Sequence, residues 1–450
     1  MLLATRAIVA IVSILPPGAI SLNGLCWLTL LLVGQASATA AEAGDPALAG
    51  ELRNLVEQLE APQRARRDDA ERRLLDLGAA ALSDLPVVDD RSSAELRLRL
   101  GRVRRHAEAL LAEGTRLPRT VTLSRRGMSL AELSAALQAQ TGNRVFDYRH
   151  AFGQEPRDVR IDTDFDHVAF WPALDRALDQ AGLTLYPFTG QAGLAVVAKA
   201  PNTLPRYGRA CYTGAFRIAP QAIVAVRNID DPSRDALQLK LDVAWEPRLR
   251  PILLALPNDR LNATGETGAR LALANPQATQ EVNVGARASQ AEVTVQLALP
   301  DRSVRRIASL TGTFEALLPG EPAEFRFPHL EGAEKQVERR ADVTVAFERA
   351  RVNQGVCEVP LLVSFAEPGR ALESHRIWIY GNPAWLEDKQ GRKIAYSAVA
   401  PTLQTEQAVG LLFSFHLPDD SIEGLTFVYR TPSAILDAPV AFELHNLELP

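Results

Sequence analysis

The stretch Leu237-Gln238-Leu239-Lys240-Leu241-Asp242-Val243 places an apolar side chain at every second position. Successive side chains of a strand point to opposite faces, so this alternation predicts a strand with one buried face and one solvated face. Short runs of Val, Leu, Phe and Thr, separated by Pro, Gly and Asn/Asp turns, continue from about residue 205 to the end of the chain. Such patterning is typical of β-sandwiches.

The β-rich region also repeats itself. Pro322-x-x-Phe325-x-Phe327-x-x-Leu330-Glu331 returns as Pro439-x-x-Phe442-x-Leu444-x-x-Leu447-Glu448, and Glu246-Pro247-Arg248 has a looser echo in Glu367-Pro368-Gly369-Arg370. We therefore predict two tandem immunoglobulin-like β-sandwiches, at residues 205–332 and 333–450. The whole chain is predicted to be multidomain α+β.

The pattern of residues 118–200 predicts a small α/β domain with the order βαββαββ. A strand at Thr120–Leu123 precedes a helix that starts with a capping box of Ser129 and Glu132 and stops at Gly142. The pattern recurs with a strand at Val159–Ile161, a helix with Pro172 in its first turn and a stop at Gly182, and a hairpin follows.

Two motifs carry a family resemblance in this domain, Met128-Ser129-Leu130-x-x-Leu133-x-x-x-Leu137-x-x-x-Thr141-Gly142 and Ala173-Leu174-x-x-Ala177-Leu178-x-x-Ala181-Gly182-Leu183. With them, residues 120–199 resemble the short N-terminal domain of secretins and TonB-dependent receptors. The resemblance implies a periplasmic protein-interaction module without catalysis. The β-rich region that follows differs from the barrel or ring of that family, so the resemblance implies a binding scaffold and nothing finer.

Residues 51–117 are predicted to form an antiparallel helical packet. Ala70, Leu74 and Leu77 followed by Gly78 indicate one amphipathic helix, and apolar residues at spacings of three and four from Leu96 to Leu111 indicate a second. Arg66–Gly78 with Ala80-Ala81-Leu82-x-x-Leu85 resembles one HEAT-type repeat. A single repeat cannot bury both of its faces, so we expect it to dock on the next domain or on a partner.

The N-terminus has the layout of a signal peptide. Arg6 precedes a long apolar tract, and Ala36-x-Ala38 offers the small side chains that signal peptidase needs. We predict a signal peptide at 1–38 and a linker at 39–50, with an uncleaved anchor as the alternative. Leu25 directly before Cys26 argues against a lipid anchor.

No later stretch reaches the ~20 apolar residues of a membrane helix, so we expect no transmembrane segment after cleavage and a periplasmic or surface location.

A formal net charge of −5 gives no global basic field, so nucleic acid is not expected as a partner. The densest local basic cluster is Arg97, Arg99, Arg102, Arg104 and Arg105. It is a candidate patch for an anionic glycan or lipid surface, although a solvated helix face with nearby acids is the favoured interpretation.

After cleavage the remaining cysteines are Cys211 and Cys357. A disulfide suits an exported protein, but the domain boundaries place one cysteine in each sandwich, so we favour two separate buried thiols.

Two further groups are candidate ligand sites. Asp162-x-Asp164-x-Asp166 resembles the opening of a calcium loop, but His167 stands where a glycine is required and Ala173 where a glutamate is, so a strand end and helix cap is favoured. Trp245, Trp378 and Trp385 could stack on sugars, but core packing is favoured because aromatic content is only 6%.

The chain lacks the local motifs of common catalytic sites, and its seven histidines never take the helical spacing of paired metal ligands. We expect no enzymatic activity, cofactor or metal. The predicted function is a non-enzymatic envelope scaffold that binds envelope proteins. Glycan or peptidoglycan binding is the alternative, and a hydrolase assembled from long-range contacts is less favoured.

Overall fold

The fold is taken from a computed structural model, which describes residues 46–78, 85–86, 92–155, 159–282, 284–285, 287–332, 335–373, 375–417 and 421–450. The predicted signal peptide, including Arg6, Cys26 and Ala36-x-Ala38, lies outside the described residues, and so does Ala80-Ala81-Leu82 of the HEAT-like pattern. The residues from Ala47 to Pro450 cluster into a single compact unit. None of the helices within the described ranges combines the length and apolar character that a membrane crossing requires.

Three helices open the described chain: α1 (Pro46–Gln58), α2 (Arg64–Leu77) and α3 (Ala94–Arg116). Their shared core includes Leu55, Leu74 and Val103, so a helical packet is present. It has three helices instead of the two predicted, and α1 begins inside the predicted linker at 39–50. The predicted apolar stripe of α3 is wrong at Leu110, which is 45% exposed. The helix is long enough to leave the packet, and its C-terminal half packs against the β-rich region through Ala107 and Ala112.

A small α/β domain follows, and its elements are β1 (Thr120–Met128), α4 (Leu130–Thr141), β2 (Val145–Asp147), β3 (Ile161–Ala169), α5 (Phe170–Ala181), β4 (Leu183–Tyr186) and β5 (Leu194–Ala198). The order is the predicted βαββαββ. The capping box of Ser129 and Glu132 is present, and Gly142 and Gly182 end their helices in the left-handed conformation that glycine adopts without strain. The strands form two sheets, β1-β3 and β2-β5-β4, the latter with β2 parallel to β5.

The second β-α half begins later than predicted. Strand β3 starts at Ile161, so Asp162, Asp164 and Asp166 lie within the strand and not at its end. Helix α5 is capped at Ala169 without a side-chain hydrogen bond, so none of these aspartates caps it. The buried residues Ile161, Thr163 and Phe165 alternate with the exposed acids, and this buried face fixes the register.

The remainder of the described chain is β-rich, with strands β6 (Cys211–Thr213), β7 (Phe216–Val226), β8 (Ala236–Trp245), β9 (Leu253–Pro257), β10 (Asn262–Gly265), β11 (Arg270–Leu271), β12 (Thr279–Val282), β13 (Gln290–Ala298), β14 (Arg306–Pro319), β15 (Pro322–Pro328), β16 (Gln336–Arg340), β17 (Val343–Phe347), β18 (Arg351–Asn353), β19 (Val356–Phe365), β20 (Ala384–Glu387), β21 (Lys393–Ala395), β22 (Ala398–Gln404), β23 (Ala408–His416), β24 (Thr426–Pro432) and β25 (Ile435–Glu448).

These strands form two pairs of antiparallel sheets, and each pair encloses one apolar core. In the first sandwich the sheet β13-β8-β7-β6 faces a six-stranded sheet of β11-β10-β14-β9-β12 with β25. In the second sandwich the sheet β15-β24-β20-β21 faces β16-β17-β19-β23-β22 with β18. The alternation of Leu237, Leu239 and Leu241 is confirmed, since all three are buried in the first core.

The two copies of the repeated motif lie in exchanged positions. The earlier copy forms β15, which pairs with β24 in the second sandwich, and the C-terminal copy forms β25, which pairs with β14 along its full length in the first. The chain therefore leaves the first sandwich at Pro319, builds the second and returns at Ile435. The predicted boundary between residues 332 and 333 does not coincide with this crossover, because both copies carry the same alternation and fit either sheet.

Candidate interaction surface

Five aromatic side chains gather on the outer face of the sheet β2-β5-β4; we call them the aromatic surface, and they are Phe146, Tyr148, Phe152, Tyr186 and Phe188. Ala195 of the central strand pairs with both Phe146 and Tyr186, which places these rings on either side of a small residue in one cross-strand row. Val145, Leu194 and Val196 face the domain core instead. Sheet alternation thus sends one set of side chains inward and the aromatic set outward.

The rings form a continuous cluster. Tyr148 lies 6.1 Å from Phe146 and 6.1 Å from Phe152, centre to centre, and Phe152 lies 4.8 Å from Tyr186. Phe188 extends the cluster at 5.7 Å from Tyr186. Phe152 is 49% exposed and Phe188 is 80% exposed. Contiguous exposed apolar surface of this kind is a mark of interaction sites in soluble proteins.

Charged side chains fix the edge of the aromatic surface. The Arg149 guanidinium donates to both carboxylate oxygens of Asp147, with Nε 3.0 Å from Oδ1 and Nη2 2.6 Å from Oδ2. These hydrogen bonds lower the pKa of Asp147. The guanidinium carbon of Arg144 lies 4.7 Å from the centre of the Phe146 ring. The bidentate pair holds the turn after β2, which carries Tyr148, in one geometry.

A buried ionic network fixes the α/β domain to the first sandwich. Asp175 of α5 is fully buried, and its carboxylate accepts from Arg206 Nε at 2.8 Å, Arg217 Nε at 2.7 Å and the Tyr212 hydroxyl at 2.8 Å. Arg217 also reaches Asp242 at 3.5 Å. Burial, with a contribution from Asp175, raises the pKa of Tyr212. Because Tyr212 and Arg217 belong to β6 and β7, the network joins two domains.

A second buried network, at the end of β8, also fixes the α/β domain to the first sandwich. Glu246 is fully buried and accepts from the backbone N–H of Arg119 at 3.0 Å, Asn143 Nδ2 at 2.9 Å and Arg248 Nε at 2.7 Å. Arg248 also donates to the carbonyl of Leu117 at 2.5 Å. The Glu-Pro-Arg motif noted in the sequence therefore anchors the chain that links α3 to the α/β domain.

The five arginines predicted as a basic patch do not share one exposed surface. Arg99 and Arg104 are buried, and Arg104 forms an ion pair with Asp342 of the second sandwich. Arg97, Arg102 and Arg105 are exposed. The patch is therefore smaller than predicted.

The arginines nearest α2 are paired with acids. Arg99 Nη2 lies 2.9 Å from Asp68 and its Nε lies 2.8 Å from Glu95, and Arg99 also pairs with Glu71. These hydrogen bonds, above all that with Glu95, raise the pKa of Arg99. Arg102 Nε lies 2.6 Å from Glu71. The acids offset the positive field that the sequence spacing indicates.

The acidic triplet is not arranged as a calcium loop. Asp162, Asp164 and Asp166 occupy alternate exposed positions of β3, and residues two apart on a strand are separated by about 7 Å. A calcium ion binds oxygens at about 2.3–2.6 Å, so carboxylates at this spacing do not converge on one ion. Asp162 instead accepts a hydrogen bond from the backbone N–H of Gly127 at 2.7 Å.

One group of possible metal ligands has no local signal in the sequence. Ligand atoms of Glu281, Glu373 and His375 lie within 4.8 Å of one another. Arg376 Nη2 lies 2.9 Å from Glu281 and 3.1 Å from Glu373, and Arg370 pairs with both acids. Two guanidinium groups supply the positive charge that a cation would bring, so the geometry favours an ion-pair cluster joining the two sandwiches.

The three tryptophans of the candidate glycan face have different environments. Trp245 is fully buried in the first sandwich. Trp385 is buried on β20 of the second sandwich but lies outside the apolar core, and Lys393 Nζ lies 4.0 Å from the ring centre. Trp378 is half-buried and donates from Nε1 to the carbonyl of Ala371 at 2.7 Å. Core or edge packing, the favoured interpretation, fits all three.

The two cysteines are free thiols in the structure. Cys211 is half-buried on β6 against the first core, and Cys357 is buried on β19 in the second core. Burial raises the pKa of Cys357 to about 11. This placement is the one that the domain argument favours.

Sequence reasoning missed the aromatic surface, although a local signal exists. Phe146-x-Tyr148 and Tyr186-x-Phe188 each place aromatics two residues apart, which is the spacing of side chains on one face of an extended chain. What the sequence does not reveal is that β5 brings these two pairs together. Comparison of the chain with protein-family models, curated proteins and solved structures found no match.

Proposed function

We propose that the protein is a non-catalytic scaffold of the bacterial envelope that binds a partner protein through the aromatic surface. The observation that carries this proposal is the exposure of Phe152 and Phe188 within a continuous cluster of five rings. Aromatic residues are enriched at the centres of protein interfaces, where they contribute much of the binding energy. The resemblance of residues 120–199 to the short N-terminal domain of secretins and TonB-dependent receptors points to the same role.

The ring geometry favours a protein over a sugar. Most neighbouring rings stand edge to face, with interplanar angles of 89° for Phe146 and Tyr148 and 78° for Phe152 and Tyr186. The resulting surface is uneven and suits interdigitation with apolar side chains. The nearby carboxylate of Asp147 is held by Arg149, which leaves little acceptor capacity for sugar hydroxyls.

Glycan binding is the second candidate, and one observation favours it. The rings of Tyr148 and Tyr186 are nearly parallel, at 12° and 6.1 Å. Two parallel tyrosines could stack on successive sugar rings, and their hydroxyl groups could bond to sugar oxygens. Insoluble peptidoglycan is the probe that separates this candidate from the first.

The remaining domains support a scaffold role. Two fully buried acids, Asp175 and Glu246, form ion pairs with arginines at the domain junctions. These ion pairs hold neighbouring domains in a fixed relative position. We propose that the two sandwiches are immunoglobulin-like arms, because each consists of two antiparallel sheets around one core. The proposal that the protein is exported is based on its N-terminal sequence alone.

The test is retention of purified protein on immobilised envelope proteins and on insoluble peptidoglycan. Phe188→Ser with Phe152→Ser is compared with the wild type and with Val337→Ser, which removes an exposed apolar side chain from β16 (57% exposed). We expect wild type and Val337→Ser to bind discrete envelope proteins and the double variant to lose them. Binding to peptidoglycan that depends on the same rings would favour the glycan candidate, and equal retention of all three proteins would contradict both.

A further inference from the structure

Among the described residues, the second half of β7 has a neighbouring strand on one side only. Strand β6 pairs with β7 only at Phe216, Arg217 and Ile218, whereas β8 accompanies β7 on the other side as far as Val226. No strand of the described ranges pairs with the outer side of Ala219–Val226. The side chains of Val224 and Val226 are 41% and 37% exposed.

This edge carries no charge. The segment Ala219-Pro220-Gln221-Ala222-Ile223-Val224-Ala225-Val226 holds six apolar residues besides Pro220 and Gln221. Exposed edges of this kind are templates for strand addition, and proteins usually protect them with charges, prolines, bulges or covering groups. Pro220 and the register shift that follows it protect the start of the edge only.

Several other edges of the described sheets have such protection. Strand β16 carries Glu338, Arg339 and Arg340, and β15 carries Glu324 and Arg326. Strand β22 is uncharged, but Pro401 and a register shift interrupt it.

The edges of β1 and β3 are covered by glutamine side chains. Gln140 accepts from the N–H of Thr122 at 2.9 Å and donates to its carbonyl at 3.1 Å. Gln180 does the same for Asp162, at 3.0 Å for both bonds. The free half of β7 lacks the protection found at these edges.

We propose that this edge pairs with the same edge of a second copy of the chain, in an antiparallel arrangement across a twofold axis near Val224. In that register Val226 faces Ala222 of the other copy and Arg227 faces Gln221, so no like charges oppose each other. The pairing ends where β6 already occupies Ile218. Such an isologous contact is the usual form of a homodimer.

A second copy fits this edge better than an unrelated extended peptide. Strand addition of a foreign peptide gains specificity from pockets that receive alternate side chains. The rows beside β7 on the outer face hold Gln238 and Gln296 next to Val224, and Lys240 and Thr294 next to Ala222. These polar side chains offer no apolar pocket, whereas a second β7 brings valines to the exposed valines.

The full chain in solution tests the proposal by light scattering over a range of concentrations. We expect a dimer for the wild type and a molar mass lower by a factor of two for Val224→Lys, which places two ammonium groups at the axis. Val337→Lys on the edge of β16 is the matched control and should remain dimeric. Because Val224 is exposed, Val224→Lys should keep the wild-type circular dichroism spectrum.

A second variant tests the proposed register between the two β7 strands directly. Val224→Cys should form a disulfide-linked dimer under mild oxidation, since symmetric pairing brings the two new thiols together, and Val337→Cys should not. A wild type that is monomeric at every concentration, or a Val224→Lys variant that stays dimeric, would overturn the proposal. These results are independent of ligand binding at the aromatic surface.

Discussion

Ile435 lies opposite Pro319 in an antiparallel pair, although the entire second sandwich separates them in the sequence. Strand β25 then runs along β14 to the pair of Glu448 with Arg306, and Phe314 packs on Phe442 with ring centres 5.3 Å apart. The first sandwich is consequently complete only when the last strand of the chain has been added. The second sandwich is an insertion between two strands of the first.

This crossover predicts a specific cross-link. Ser309 and His445 are directly opposed in β14 and β25, so Ser309→Cys with His445→Cys should form a disulfide under mild oxidation. Peptide mapping by mass spectrometry would detect it. Ser309→Cys with Glu406→Cys, which places the second thiol on an exposed loop of the second sandwich, should not cross-link. Tandem sandwiches without strand exchange would give no 309–445 bond.

The buried network at Asp175 predicts a large loss of stability on its removal. Asp175→Asn leaves Arg206 and Arg217 without their shared carboxylate in a buried site, and breaking a buried ion pair in this way costs about 3–5 kcal/mol. Urea unfolding measures the change in the free energy of unfolding. Asp230→Asn on an exposed turn is the control and should change it by less than about 0.5 kcal/mol. Equal effects of the two changes would refute the assignment.

Glu108 on α3 predicts a pH dependence of stability. Burial, and then the nearby Glu367, raise the pKa of Glu108 to about 7, although Arg104 and Arg105 act against this shift. The folded protein therefore holds a proton that the unfolded chain releases above its ordinary pKa near 4.5. Stability through this group is greatest at low pH and falls as the pH rises from about 4.5 to 7.

Glu108→Gln should accordingly raise the free energy of unfolding at pH 8 by roughly 1–2 kcal/mol, a figure reduced for partial solvent exposure, and by much less at pH 5. Denaturant unfolding at the two pH values measures this difference. Glu57→Gln on the exposed side of α1 is the control and should change the free energy of unfolding by less than about 0.5 kcal/mol. A stabilisation by Glu108→Gln that is the same at both pH values would mean that the carboxyl group does not titrate in this range.

The cysteines predict a simple alkylation pattern. Cys211 is half-buried and should react slowly in the folded protein, whereas Cys357, buried and with a raised pKa, should not react. In denaturant without reductant, intact mass should show alkylation of both. Failure of both residues to react until reductant is added would show a bridge between them.

Sequence patterns predicted the local elements well and the long-range pairing poorly. The Leu237 alternation and the Ser129 capping box depend on neighbouring residues, and both are present in the structure. The exchange of β15 and β25 depends on which of two similar strands meets β14, and no local pattern encodes that choice. The same holds for Arg99, whose burial follows from acids on α2.

The aromatic surface could not be predicted from the sequence because it also depends on long-range strand pairing. Its two halves, at Phe146 and Tyr186, are brought together only by their common neighbour Ala195. Each half alone is a short strand with one aromatic residue and a second aromatic just after its end. The parallel pairing of β2 with β5 turns them into one cluster.

Site-specific photocross-linking in cells tests the binding surface most directly. Replacing Phe188 by the photoreactive analogue p-benzoylphenylalanine keeps an aromatic ring at the most exposed position of the cluster, and the same replacement at Val337 is the control. We predict discrete adducts between this protein and envelope proteins at position 188 and none at position 337. Adducts at neither position, or the same adducts at both, would contradict a protein-binding role for the aromatic surface.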